Sequence, residues 1–277
     1  MPRVVKRLVP LQVQRKIKNY LAKRTKARLF GDLAPLVPTP EQMFDGPASL
    51  EAFKANGEEF LKIYKDICGL QPDEKMLDVG CGIGRKTLPL TQYLNAHAVY
   101  EGIDITQAGI DWCREKITPR FPNFHFQQID VYNKHYNPRG TYQASAYTFP
   151  FADASFSFVM LGSVFTHMLP DDVKHYLSEI HRVLMYGGRC LITYFLLNAE
   201  SLRRMEHGDS TLDLKYVFDQ YRTVSREVPE EAIAFDESWI RELYRTLGLQ
   251  VRRVDYGSWC ARENCWCYQD LILALKE

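Results

Sequence analysis

Met76-Leu77-Asp78-Val79-Gly80-Cys81-Gly82-Ile83-Gly84 reads as an apolar strand that ends in an acid and runs directly into glycines spaced G-x-G-x-G. Glycine permits positive φ and lets a ligand approach the backbone closely, and a helix is expected to start at the same place, so unpaired N–H groups face whatever binds there. A nucleotide-like ligand is implied. In a dinucleotide site such a loop meets a doubly anionic pyrophosphate, which a carboxylate at Asp78, two residues ahead of the first glycine, would repel. The third glycine also comes one residue earlier than in G-x-G-x-x-G. Both departures favour a ligand without phosphate and with a cationic end.

Outward from this stretch, short apolar or β-branched runs alternate with helical patterns. Strands are expected at 75–80, 98–104, 123–129, 155–161 and 187–195, and helices at about 84–94, 107–118 and 171–185. That alternation implies βαβ units, a mostly parallel sheet with helices on both faces, and ligands at the carboxyl ends of the strands. Upstream, Ser49 is placed to cap a helix running to about Ile67. Residues 197–236 break the rhythm, mixing charge with Tyr216, Phe218, Tyr221 and Phe235, and are expected to form a cap over the ligand edge. A helix at 237–247 and two apolar runs, 249–256 and 268–275, would complete seven strands as an antiparallel pair. The expected division is a basic N-terminal helix with a proline-rich linker, 1–47, and a ligand-binding domain, 48–277.

Asp78-x-Gly80-x-Gly82-x-Gly84 resembles motif I of the class I S-adenosylmethionine-dependent methyltransferases, and the likeness extends from about 50 to 275. S-adenosylmethionine has a sulfonium and an ammonium and no phosphate, as the electrostatic reading asks. The resemblance implies a Rossmann-like α/β fold and this cofactor, with Asp78, Gly80, Cys81, Gly82 and Gly84 at its methionine and ribose. Tyr100-Glu101-Gly102-Ile103-Asp104 is similar to the second strand of that family. By the same resemblance Asp104, with Glu101 as the alternative, would hold the ribose hydroxyls, and an acid about 20 residues past the glycines is also the general ribose-binding arrangement. Ile105 would pack on the adenine face. Gln128-Ile129-Asp130-Val131 resembles the third-strand ending, where an acid (Asp130) accepts from the adenine amine and the next amide (Val131) reaches the ring. The run Phe149-Pro150-Phe151-Ala152-Asp153-Ala154-Ser155-Phe156-Ser157-Phe158-Val159 resembles the family's approach to strand four, with Ser157 where an aspartate is frequent. Carbonyls near Leu161 and Gly162 would hold the methionine ammonium. Ile180-His181-Arg182-Val183-Leu184-Met185-Tyr186-Gly187-Gly188 is similar to the entry to strand five.

Methyl transfer asks the protein mainly to align a nucleophile, and an oxygen or nitrogen nucleophile also needs a base. His167, in the turn after strand four, is the candidate base because imidazole titrates near neutrality; Tyr194, His207, Asp236 and Glu237 are alternatives. Strand four opens into Leu161-Gly162-Ser163-Val164, without the Pro-Pro-aromatic of amino-purine methylases, a pair of glutamates, a Pro-Cys nucleophile or an acidic magnesium site. A small-molecule, glycan or lipid-linked acceptor remains, with a hydroxyl oxygen expected as the methylated atom. In the tail, Trp259 would stack on a sugar and Arg262 would meet an acidic group. The rival readings are an RNA or protein methyltransferase docking through its basic N-terminus, and a non-catalytic protein that binds the cofactor.

The 277 residues are 46% hydrophobic and 25% charged, too apolar for a disordered tail, and no run approaches the roughly 18 apolar residues of a membrane span. Formal net charge is +1, yet residues 1–28 carry ten basic side chains and no acid, so the remainder is acidic. No nucleic-acid partner is expected. The leader reads as an amphipathic helix, with Val13, Ile17, Tyr20 and Leu21 on one face, suited to an anionic membrane surface or to packing on the body. Seven scattered cysteines without a preceding apolar signal core suggest a reducing, cytoplasmic setting. Cys260, Cys265 and Cys267 lack the paired spacing of common zinc sites, and no metal is expected.

Overall fold

The computed structural model describes residues 22–277; the basic amphipathic helix expected over the leader lies almost wholly outside the described residues. Residues 22–30 are helical, and 3₁₀ turns at Gly31–Leu36 and Pro40–Gln42 follow. This segment, read from its prolines as a linker, is packed: Leu36, Val37 and Met43 are buried against Leu50, Phe53, Ile83 and Leu88, and Trp112 Nε1 donates to the Leu36 carbonyl at 3.2 Å.

The elements of the main sheet and its helices are α1 (Leu50–Asp66), β1 (Lys75–Val79), α2 (Thr87–Leu90), β2 (Val99–Asp104), α3 (Gln107–Lys116), β3 (Phe124–Gln128), β4 (Phe156–Leu161), α4 (Pro170–Val183) and β5 (Leu184–Tyr194). An insertion holds β6 (Leu196–Leu197), α5 (Ala199–Glu206), β7 (Tyr216–Val217), β8 (Tyr221–Thr223) and β9 (Ile233–Asp236). After it come α6 (Glu237–Thr246), β10 (Leu249–Asp255) and β11 (Asp270–Lys276). The seven-stranded sheet runs β10-β11-β5-β4-β1-β2-β3. Strands β1 to β5 are parallel, and β11 inserts antiparallel between β5 and β10. This is the Rossmann-like order expected from the alternating pattern.

Both faces of the sheet are buried. Phe60, Ile63 and Tyr64 of α1 and Ile110 and Cys113 of α3 cover one face, while Val173, Leu177 and Ile180 of α4 and Ile240 and Tyr244 of α6 cover the other. Double burial explains why these strands read as near-continuous apolar runs. Ser49 caps α1 as expected, its Oγ accepting from Ala52 N at 3.1 Å. The helix expected over 84–94 forms only four residues: Pro89 lies inside it, where a ring without an N–H cannot continue the hydrogen-bond ladder, and turns follow.

The insertion forms a second sheet in the order β6-β9-β8-β7. The seven cysteines are free thiols. No helix among the described residues is long and apolar enough to cross a membrane.

Candidate active site

The carboxyl ends of β1, β2, β3 and β4 open into one cavity of about 930 Å³. Its floor is glycine backbone. Gly80 has φ +85°, and a Cβ there would come within 2.3 Å of Val164 Cγ2; at Gly82, φ +56°, a Cβ would come within 2.3 Å of Asp45 Oδ2. Side chains are therefore excluded at both positions, and the bare backbone faces the cavity. Gly84 serves differently. It does not line the cavity, and its missing Cβ lets Cys113 and Ile117 pack against the loop.

Asp104, at the end of β2, lines the cavity and also holds the loop in shape. Its Oδ2 accepts from Gly82 N at 2.8 Å and its Oδ1 from Thr106 N at 2.7 Å. Burial pushes its carboxyl above the ordinary range, opposed by these hydrogen bonds. From the opposite side, the packed N-terminal segment delivers Asp45, which accepts from Ile83 N at 3.3 Å and pairs with Arg85 at 3.1 Å.

Beyond β4 the chain turns sharply. Ser163 adopts φ +64°, a conformation that costs a non-glycine residue roughly 1–3 kcal/mol and recurs at functional sites. Its N–H donates to Thr193 Oγ1 at 2.7 Å, and both hydroxyls donate to Gln269 Oε1. His167 follows in a 3₁₀ turn and lines the cavity. Its Nδ1 lies 2.8 Å from the main-chain oxygen of Glu230, supplied by the insertion. A carbonyl can only accept, so Nδ1 carries the proton and Nε2 keeps a basic lone pair. Burial lowers the imidazole pKa, which keeps the ring neutral at physiological pH. The ring of Tyr136 meets it edge-on at 5.1 Å.

A family profile described as a methyltransferase domain matches residues 77–192, the span from β1 through most of β5. By this match, residues 77–192 are a methyltransferase domain. The chain is 33% identical over 115 residues to the phthiotriol/phenolphthiotriol dimycocerosates methyltransferase of Mycobacterium tuberculosis, a match spanning 42% of this chain and only 35% of that protein. With aklanonic acid methyltransferase DauC of Streptomyces sp. (strain C5) it shares 27% identity over 74% of this chain and 88% of the other. Its fold matches that of 1,6-didemethyltoxoflavin-N1-methyltransferase from Burkholderia thailandensis, solved with bound 1,6-didemethyltoxoflavin and S-adenosylhomocysteine, at TM-score 0.52 and 15% identity, covering 99% and 93% of the two chains.

The cofactor of the methyltransferase is S-adenosylmethionine, and the cavity suits it. Six carboxylates line the walls (Asp45, Glu59, Asp104, Asp171, Asp172, Glu230) against the cations Arg85 and Lys86. Arg85 is already engaged by Asp45 and the Pro47 carbonyl. Such a cavity welcomes a sulfonium and disfavours a pyrophosphate. Gly80, Gly82, Asp104, Ile105, Val131 and Gly162, all expected from the sequence, face it. Cys81 and Leu161 are buried behind the wall and do not line it.

Two expected acids are placed elsewhere. Asp78 is 2% exposed and does not line the cavity; its carboxylate accepts from Tyr100 Oη at 2.6 Å. The attraction for a cation that the sequence assigned to Asp78 therefore comes from the lining acids instead. Asp130 is exposed and outside the cavity, because it sits between Ile129 and Val131, both buried and lining, and successive side chains of an extended segment point to opposite sides. The tail is also corrected. Trp259 is fully buried with Nε1 donating to Asp270 at 2.8 Å, and Arg262 pairs with Asp270 and Glu200, so both organise the core and do not line the cavity. Among the alternative bases, Tyr194 is buried on Tyr244, Asp236 caps α6, and Glu237 is held by Asn198 and Tyr256. His207 lies on the exposed end of α5, and none of the four lines the cavity.

Burial pushes the Asp78 carboxyl up to about 6. Between its ordinary value and that figure, the native state keeps a proton that the unfolded chain has released, so this group's contribution to stability falls as pH rises from about 4 to about 6. In the cofactor-free protein, Asp78→Asn is expected to reduce that slope in denaturant titrations across this range. The part belonging to Asp270, also pushed up to about 6, should remain.

Proposed function

We propose that the protein methylates a hydroxyl oxygen of a small molecule or glycan, with S-adenosylmethionine as donor and His167 as general base. When bound, the cofactor supplies a methyl group on an electrophilic sulfonium. The chain's own work is to position and to accept a proton. Asp104 and the Gly80–Gly82 backbone hold the nucleoside, and the turn through Ser163 and Val164 walls the cavity beside them. His167 Nε2 takes the hydroxyl proton.

The observation that carries this reading is the hydrogen bond between His167 Nδ1 and the Glu230 carbonyl, which leaves a neutral imidazole with its lone pair on Nε2 in the wall of the cavity. The names of the two curated relatives, one a phthiotriol/phenolphthiotriol dimycocerosates methyltransferase and one an aklanonic acid methyltransferase, support a small-molecule acceptor. We place the protein in the cytoplasm on its thiols, with the basic leader available for an anionic membrane surface.

The test is incubation of the full chain with isotope-labelled S-adenosylmethionine and metabolite extract, followed by mass spectrometry of the products. Labelled methyl ethers, absent with His167→Asn, are the expected result. Label confined to nitrogen, protein or RNA would overturn the proposal, as would cofactor binding without any labelled product.

A further inference from the structure

Glu230 sits in the 3₁₀ turn Pro229–Glu231 between β8 and β9 and lines the cavity. It is 8% exposed, yet its Oε2 is buried with no hydrogen-bond partner among the described residues. A carboxylate withdrawn from water without a donor is costly, and native chains keep such groups chiefly where something else completes them. Its own main-chain oxygen is the one that holds His167, so the orphaned carboxylate belongs to the same residue that fixes the candidate base.

The surrounding charge sharpens what that missing partner is. Asp171 and Asp172 line the same cavity, and Asp172 and Tyr221 both feel the Glu230 charge. The two lining cations have other partners: Arg85 pairs with Asp45, and Lys86 lies over the Phe60 ring, near Glu59 and beside Gly162. S-adenosylmethionine brings one net positive charge, less than the excess of lining carboxylates over cations.

We infer that Glu230 is an acceptor-binding residue and that the acceptor carries a protonated amine in addition to its hydroxyl, the ammonium seated on the Glu230 carboxylate. This rests on the methyltransferase reading and names the substrate class of that same cavity. An amino sugar or a phenolic alkylamine has the required pair of groups.

The test uses the full chain saturated with S-adenosylhomocysteine and two matched pairs of probes, tyramine with 4-ethylphenol and D-glucosamine with D-glucose, by calorimetry. In at least one pair the ammonium member is expected to bind about tenfold more tightly or better, as a charge-assisted hydrogen bond provides. Glu230→Gln should abolish that preference, and Glu230→Asp should retain part of it. Affinity for S-adenosylmethionine should be the same in all three proteins. Glu230→Gln removes a buried charge without changing shape, and thermal melts confirm folding. Equal affinities within both pairs, or a preference that survives Glu230→Gln, would overturn the inference while leaving the methyltransferase reading intact. Failure of the wild-type protein to bind S-adenosylmethionine would sink that reading itself.

Discussion

His167→Asn is expected to lower kcat by about 10²–10⁴-fold, the usual contribution of a positioned general base, while leaving the Kd for S-adenosylmethionine unchanged. The split follows from the geometry. His167 lines the cavity with its Nδ1 tied to the Glu230 carbonyl, whereas the nucleoside is expected at Asp104 and the glycine loop that Asp104 holds through Gly82 N. The pH dependence has a definite sign. A base works only unprotonated, and burial lowers this imidazole's pKa, so the acid limb of kcat/KM in the wild type should lie below the ordinary histidine value of about 6.5. The variant should lose that limb. A limb above the ordinary value, or one that survives the substitution, would remove His167 from the role.

Asp104→Ala should weaken S-adenosylmethionine by roughly tenfold to more than a hundredfold, the equivalent of about 1.5–3 kcal/mol for a charge-assisted hydrogen bond. The upper end is expected because the same carboxylate also accepts from Gly82 N and Thr106 N, and its loss strands two backbone donors as well as the ribose hydroxyls. Asp104→Asn should fare little better, since an amide has one acceptor oxygen where two are in use. Asp130→Ala is the control. Its exposed side chain lies outside the cavity, so calorimetry should show no change in affinity. Equal losses for the two aspartates would restore Asp130 to the adenine and overturn the placement given by strand alternation.

Much of this site follows from local pattern. The glycines at 80 and 82, the acid at 104 and the histidine at 167 were legible because each is set by its own few residues: a positive φ, a strand end, a turn. The strands were legible because a sheet buried on both faces writes itself as apolar runs. The second tier was not. Asp45 reaches the glycine loop from a segment whose prolines read as a linker, and its contact with Ile83 spans 38 residues of sequence. Glu230 meets His167 across 63 residues and Gln269 meets Ser163 across 106. No short-range periodicity records such pairings.

The sequence by itself determined the doubly wound fold and the cofactor, because hydrophobic period and glycine spacing are properties of neighbouring residues. Only the tertiary structure decided which way each acid points. Asp78 and Asp130 stand one residue out of phase with the cavity wall, and in an extended chain one residue is the difference between facing a ligand and facing away. The negative charge that lines the cavity therefore comes from Asp104 and from carboxylates that remote segments bring to it.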